Sequence, residues 1–268
     1  MEGIADYVFL REIGRGMHGR VFLAKPPDRV GVEEPHVALK VLSSGATEDG
    51  FDLLVDELSV YAGIGSRRLL PLYEVGMDGT SMFYAMRYQP FGSLAAPTRH
   101  VSRHERLVAV GRAARAAHEL HEAGIVHRGI KPSNILVDPQ GALLAEPGIA
   151  HLLSRGQALT GIGTRGDAGD LELVDPQLLR GGRAGRPSDI WALGVTLHVA
   201  LTGSGLHPAL SSADPMVAVR MYLRSQPELD EALADGERAI VVKALQPDPA
   251  SRYETAAALA EDIERVAG

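Results

Sequence analysis

The ten residues 127–136, His-Arg-Gly-Ile-Lys-Pro-Ser-Asn-Ile-Leu, restrict the possible folds of this chain more than any other stretch. They follow a predicted helix of residues 102–123, which begins with a Ser-x-x-Glu capping box and has apolar residues at helical spacing. They lead into a predicted hairpin whose strands, residues 135–137 and 143–145, flank the turn sequence Asp-Pro-Gln-Gly. A polar loop is therefore expected between a long helix and a short hairpin.

This stretch resembles the catalytic loop of protein kinases, which reads His-Arg-Asp-Leu-x-x-x-Asn. Arg128, Lys131 and Asn134 stand where the family has them, and Gly129 stands where the family has its catalytic aspartate. The chain is similar to the Ser/Thr protein kinase family, in its bacterial branch, over nearly the whole length. The resemblance therefore implies a kinase fold that lacks the catalytic base.

The implied fold is α+β, with two lobes in one kinase-like domain, residues 1–268. Residues 1–88 would form a small β-rich N-lobe with one main helix, and residues 89–268 a larger, mostly helical C-lobe. The N-lobe has strand patterns at residues 7–15, 20–25, 36–42, 72–77 and 81–88 and a helix pattern at residues 51–64. Helix patterns near the end of the chain cover residues 214–224, 230–245 and 255–266.

A glycine-rich segment joins the first two predicted strands. Gly14, Gly16, Gly19 and Val21 form the pattern Gly-x-Gly-x-x-Gly-x-Val. Glycine permits positive φ and brings backbone N–H groups close to phosphates, although a plain hairpin turn has the same spacing. In the family this loop covers the phosphates of ATP, and residues 17–19, Met-His-Gly, resemble its tip in bacterial kinases.

Lys40 is the predicted phosphate ligand of the third strand, in Val-Ala-Leu-Lys, because the family lysine at this place holds the α- and β-phosphates. Taken alone, a strand lysine is more often a solvated edge charge. Glu57 is its candidate partner, with Asp56 as the second choice and a surface carboxylate as the alternative. By the family pattern an adenine would lie among apolar and aromatic side chains, those of Val21, Ala38, Met86, Tyr88 and Leu136.

The metal-binding motif is altered as well. Glu146-Pro147-Gly148 stands where the family has Asp-Phe-Gly, whose aspartate holds Mg²⁺. Glu146 keeps the charge on a longer side chain, and Asn134 is the other candidate metal ligand. Pro147 is expected to push Glu146 towards an extended backbone. We therefore expect ATP as the ligand, with weak or absent dependence on Mg²⁺ or Mn²⁺.

Residues 175–177, Asp-Pro-Gln, resemble the Ala-Pro-Glu sequence that ends the activation segment of the family. Gln177 replaces the glutamate that pairs with an arginine, here Arg252, and a Gln–Arg hydrogen bond could substitute without the bidentate ionic pair. Thr160 is the candidate phosphorylation site of this segment, with Arg128 as the partner of the phosphate. Thr164 is the poorer candidate.

Composition excludes several classes of function. A net charge of -7 and a pI near 5.8 argue against nucleic acid as a partner. His118 and His121 lack the His-Glu-x-x-His spacing of a zinc site and are expected on a solvated helix face. No apolar run reaches the roughly 18 to 20 residues that span a bilayer, so no membrane contact is expected. A cytoplasmic location follows, alone or as the cytoplasmic domain of a longer protein.

The lost base and altered metal motif, beside retained phosphate-binding residues, indicate a pseudokinase that still binds nucleotide. It would serve as a regulatory or scaffolding module, which an active Ser/Thr kinase phosphorylates and a phosphothreonine-binding domain then binds; this expectation rests on analogy with bacterial pseudokinases. Two alternatives remain open. One is a slow Ser/Thr kinase that uses Glu146 for the metal, and the other is a kinase-fold transferase of different chemistry.

Overall fold

The computed structural model of the chain describes residues 3–16, 19–42, 48–146, 168–208, 210 and 214–268, and these form two compact units. Among the described residues, the first unit contains those up to Gly65 together with Leu70–Pro90. The second contains Ser66–Leu69 and everything from Phe91 onward. Residues 17–18 of the predicted tip of the glycine-rich segment lie outside the described residues, as do Pro147, Gly148, Thr160 and Thr164.

The first unit is built on an antiparallel sheet. Its strands are β1 (Gly3–Ile4), β2 (Tyr7–Gly16), β3 (Gly19–Lys25), β4 (Val37–Leu42), β5 (Leu72–Asp78) and β6 (Ser81–Arg87), and helix α1 (Glu48–Gly63) follows β4. The strand order in the sheet is β1-β2-β3-β4-β6-β5. The strands β2 to β6 and α1 correspond to predicted patterns, whereas the two-residue β1 was not predicted.

Alternation of side chains along β4 gives the sheet two different faces. Val37 and Leu39 point into a buried apolar cluster that also contains Ala24, Phe83 and Ala85 from the neighbouring strands. The residues between them on β4 point to the opposite face. The core cluster therefore takes up one face of the sheet, and the predicted ligand Lys40 lies on the other.

The second unit is mostly helical. Its elements are α2 (Arg103–Glu122), β7 (Ile135–Asp138), β8 (Gly141–Leu144), α3 (Ala168–Glu172), α4 (Pro176–Leu179), α5 (Arg186–Thr202), α6 (Pro215–Tyr222), α7 (Asp235–Ala244) and α8 (Ala256–Ala267). Helix α5 is buried along most of its length. A Cβ at Gly194 would lie 2.7 Å from Cβ of Ala244, so this glycine permits the close approach of α5 and α7. The predicted α+β class is confirmed.

The predicted capping box at the start of α2 is present. The hydroxyl of Ser102 accepts the N–H of Glu105, and the Glu105 carboxylate accepts the N–H of Ser102. This backbone hydrogen bond, helped by Arg99, lowers the pKa of Glu105 to about 2. Within the described ranges, no helix combines the length and the apolar character needed to cross a bilayer.

Three buried histidines of the second unit are kept neutral by the fold. The ring of His127 accepts the N–H of Gly129 at Nδ1 (3.2 Å) and donates from Nε2 to the Ala145 carbonyl (3.2 Å). His198 and His207 are also buried. Desolvation lowers the pKa of all three below the ordinary value for histidine.

We expect the domain to lose stability as the pH falls below about 6.5. Below that pH these histidines bind protons in the unfolded chain, whereas in the folded chain they stay neutral to lower pH. The stability is fully present above that pH and falls by up to about 1.4 kcal/mol per pH unit for each histidine. Thermal unfolding at pH 7.5 and 5.5 measures the effect. His198→Gln should reduce the slope, and a melting temperature independent of pH in this window would contradict the prediction.

Candidate functional site

The sheet of the first unit brings the predicted nucleotide ligands onto one face. Val21 lies opposite Lys40, and Ala38 lies opposite Met86. Residues directly opposite each other in an antiparallel pair project to the same side of the sheet, as do residues two apart on one strand. These four side chains therefore share the face that the core cluster does not use.

Lys40 carries the positive charge of this face. Its exposed fraction is 8%, and its Nζ lies 6.0 Å from the ring centroid of Tyr84, the residue opposite it on β6. Glu57 lies half-buried on α1 of the same unit. Tyr88 follows β6, and its hydroxyl accepts a hydrogen bond from Arg11 at 3.4 Å. A nearly buried ammonium among apolar side chains suits the phosphate end of a nucleotide.

The glycines of the predicted phosphate loop pair across the β2–β3 hairpin. Gly14 lies opposite Val21, and Gly16 lies opposite Gly19. Gly19 has φ +146°, and a Cβ there would lie 2.1 Å from the carbonyl oxygen of Val41. Glycine at position 19 is thus required by the approach of β4, in addition to any role towards phosphate.

The loop at residues 127–136 is held by a buried acid that sequence reasoning had given no role. The carboxylate of Asp189, in the first turn of α5, accepts the main-chain N–H groups of His127 and Arg128, both at 2.8 Å. A third contact, also 2.8 Å, joins it to Nε2 of His121. Arg128 has φ +60°, which these bonds maintain. The sequence offered one signal for this role of Asp189, namely that it is an acid in the first turn of an otherwise apolar helix.

Gly129 lies at the centre of this loop. Its N–H donates to His127, and its carbonyl accepts Nδ2 of Asn134 at 2.8 Å. The Asn134 carbonyl in turn accepts the N–H of Ala145 at 2.8 Å. The main chain is therefore fixed on both sides of position 129, where there is no side chain to orient a hydroxyl or take its proton.

The prediction that Glu146 is extended is wrong, because its φ is +56°. The hydrogen bonds of Ala145 with His127 and Asn134 fix the preceding residue, and they override the local preference that a following proline imposes. Glu146 is half-buried and directly follows a residue bonded to Asn134. The carboxylate of Glu146 and Oδ1 of Asn134 are oxygen donors of the type that Mg²⁺ takes, so the donor set fits the metal in kind.

Two further predicted residues lie beside this loop. Lys131 places Nζ 3.0 Å from the Oδ2 atom of Asp170, on α3. Leu136 is half-buried on β7, opposite Leu143 of β8. The second unit thus holds the remaining described residues of the prediction, Arg128, Gly129, Lys131, Asn134, Leu136 and Glu146.

The predicted Gln177–Arg252 hydrogen bond is not formed. Arg252 instead makes a bidentate pair with Asp175, at 2.6 and 3.0 Å, and the two side chains are 0% and 3% exposed. Gln177 donates to the Pro247 carbonyl at 3.1 Å. Asp175 stands where the family has alanine. Arg252 therefore still forms an ionic pair, with an acid two residues before the position of the family glutamate.

The prediction that the histidines of α2 lie on a solvated helix face is wrong. His121 is 2% exposed, and its Nε2 is engaged by Asp189. Among the described residues, no group of three or more His, Asp or Glu side chains could hold a metal ion. The zinc interpretation therefore has no support in the part of the chain that is described.

Comparisons with known proteins match residues 7–263 to the protein kinase domain. The chain is 30% identical over 273 residues to Serine/threonine-protein kinase PknK of Mycobacterium tuberculosis (strain CDC 1551 / Oshkosh), covering 98% of this chain and 24% of PknK. It is 28% identical over 268 residues to Serine/threonine-protein kinase PknJ of M. tuberculosis (strain ATCC 25618 / H37Rv), covering 94% and 44%. The chain thus spans about a quarter of PknK and less than half of PknJ.

Among solved structures, the crystal structure of the M. tuberculosis PknI kinase domain superposes with a TM-score of 0.70. It is 22% identical and covers 98% of this chain and 97% of that one, which shows the shared fold. The family model, the similarity to PknK and the arrangement of residues 127–136 agree, and the chain belongs to the protein kinase family, in its bacterial Ser/Thr branch.

Proposed function

We propose that this domain is a pseudokinase that binds a nucleotide, transfers phosphate poorly or not at all, and serves as a regulatory or scaffolding module in bacterial phospho-signalling. The observation that carries the proposal is the fixed backbone around Gly129. The N–H of Gly129 donates to His127, its carbonyl accepts Asn134, and no carboxylate leaves the loop at position 129. Loss of a general base slows a reaction by about 10² to 10⁴, or roughly 3 to 5 kcal/mol on the barrier.

Nucleotide binding is supported by the face of the first unit that the core cluster does not use. Val21, Ala38 and Met86 offer apolar contacts, and Lys40 offers a cation on the same face. Phosphate oxygens would add hydrogen-bond acceptors beside this nearly buried ammonium. Because Glu146 replaces a shorter acid and has a left-handed backbone, the proposed binding depends little on Mg²⁺ or Mn²⁺.

The proposed partners are an active Ser/Thr kinase and a phosphothreonine-binding domain. The kinase would modify Thr160, and Arg128 would pair with the phosphate. The exposed Arg128 has its main chain fixed by Asp189, which leaves the guanidinium to reach outward. Phosphopeptide mapping after incubation with such a kinase tests this step, and an unmodified segment counts against it. A cytoplasmic location, alone or as the cytoplasmic domain of a longer protein, completes the proposal.

We expect ATP at about ten times its Kd to raise the melting temperature by about 3 °C, since binding to the folded state alone adds about 1.4 kcal/mol. EDTA should leave the shift unchanged. Lys40→Met should abolish it, whereas Lys243→Met, on α7 of the other unit, should retain it. No stabilisation of the unaltered chain at millimolar ATP would refute nucleotide binding.

A further inference from the structure

The ammonium of Lys131 is already engaged by a carboxylate of its own unit. Nζ lies 3.0 Å from Oδ2 of Asp170, and the two side chains are 33% and 50% exposed. Lys131 is extended, with φ -161° and ψ 162°. Ile130 is 1% exposed between half-buried neighbours, so the side chain at 131 leaves the loop on the side where one at 129 would.

Asp170 therefore brings a negative charge to the side of the loop where Gly129 has none. The segment that carries Asp170 is anchored two residues later at Glu172. The Glu172 carboxylate accepts the N–H groups of Leu206 (2.7 Å) and His207 (2.8 Å). The indole of Trp191 also donates to the Glu172 carbonyl, at 3.0 Å. Asp170 is thus presented to Lys131 by a fixed support.

We propose that Asp170 is a built-in competitor for the anion that Lys131 would otherwise bind. The inference rests on the proposed nucleotide binding, in which Lys131 would contact the terminal phosphate. A triphosphate must displace the Asp170 carboxylate or accept its repulsion, whereas adenosine meets neither. The site therefore discriminates against the terminal phosphate. The pair is exposed and weak enough for a concentrated anion to displace it.

The chain makes this testable because it contains only four lysines, Lys25, Lys40, Lys131 and Lys243. Trace acetylation of the full chain, read by mass spectrometry, reports each amine separately. We expect Asp170→Asn to raise the labelling rate of Lys131 about two- to fivefold, because the amine is then no longer held against a carboxylate. The labelling rates of the other three lysines should not change in Asp170→Asn. The matched control Asp235→Asn should leave the labelling rate of Lys131 unchanged. An unchanged Lys131 rate would overturn the inference.

Inorganic tripolyphosphate then tests competition without a nucleoside. It should protect Lys131 from acetylation at about three- to tenfold lower concentration in Asp170→Asn than in the unaltered chain. Equal protection in both proteins would overturn the inference, whatever nucleotides do.

Calorimetric titration with adenosine and ATP separates the two proposals. Asp170→Asn should tighten ATP about three- to tenfold and leave adenosine unchanged, and Lys131→Met in the same chain should remove that gain. A gain that persists without Lys131 would refute the competitor role alone. Absence of binding for both ligands in every variant would refute the nucleotide site, while the tripolyphosphate result still decides the role of Asp170.

Discussion

Asp175→Ala is expected to lower the free energy of unfolding by about 3 to 5 kcal/mol, because it leaves the guanidinium of Arg252 buried without its counter-charge. The bidentate pair is 0% and 3% exposed, and Arg252 also lies 5.1 Å from the Trp191 ring. The same carboxylate accepts the N–H of Gln177 and caps α4, which adds about 1 kcal/mol to the loss. Urea unfolding followed by circular dichroism measures the change.

Two variants identify the cause of that loss. Glu122→Ala removes an acid from an exposed pair with Arg186 and should cost no more than about 1 kcal/mol. Adding Gln177→Glu to Asp175→Ala recreates the family sequence Ala-Pro-Glu. The Gln177 amide contacts Pro247, and Arg252 Nε contacts the Gln246 carbonyl (2.8 Å), so a glutamate at 177 lies near the guanidinium. It should recover part of the loss, and no recovery would mean that position 177 cannot replace position 175.

Local sequence signals were sufficient for most of the fold. Between the predicted strands at residues 72–77 and 81–88 lies Asp78-Gly79, and Gly79 has the positive φ, +57°, that such a turn requires. The start of α7 was predicted about five residues too early. There the N–H of Asp230 donates to His198 at 3.0 Å, a contact 32 residues away in the chain that holds a turn before the helix.

The partners within the candidate site could not be read in the same way. Gly129, Lys131 and Asn134 belong to one short motif, so their types and spacing identified them. Asp189, Asp170 and Asp175 act on residues 61, 39 and 77 positions away, and no local pattern specifies such pairs. From the sequence, glutamine at position 177 indicated that Arg252 has no acidic partner. In the fold Asp175 is that partner.

The unaltered chain is expected to show no phosphoryl transfer above its Lys40→Met variant, with Mg²⁺ or Mn²⁺ and generic protein substrates. Label that disappears in Lys40→Met would refute the pseudokinase proposal and favour the slow kinase in which Glu146 binds the metal. Absence of label in both proteins would agree with a module that works through its partners.

Gly129→Asp with Glu146→Asp is expected to raise phosphoryl transfer above the Lys40→Met background, by up to about 10² to 10⁴, the usual contribution of a general base. Gly129 is not among the glycines with positive φ, so an aspartate fits its backbone. Glu146 has φ +56°, a conformation that aspartate adopts more readily than glutamate. Adding Asp170→Asn should increase the gain. It removes the carboxylate that now pairs with Lys131, so that the new aspartate at position 129 meets no second acid there. Failure of the triple variant, in a protein that still binds ATP, would locate the defect outside these three positions.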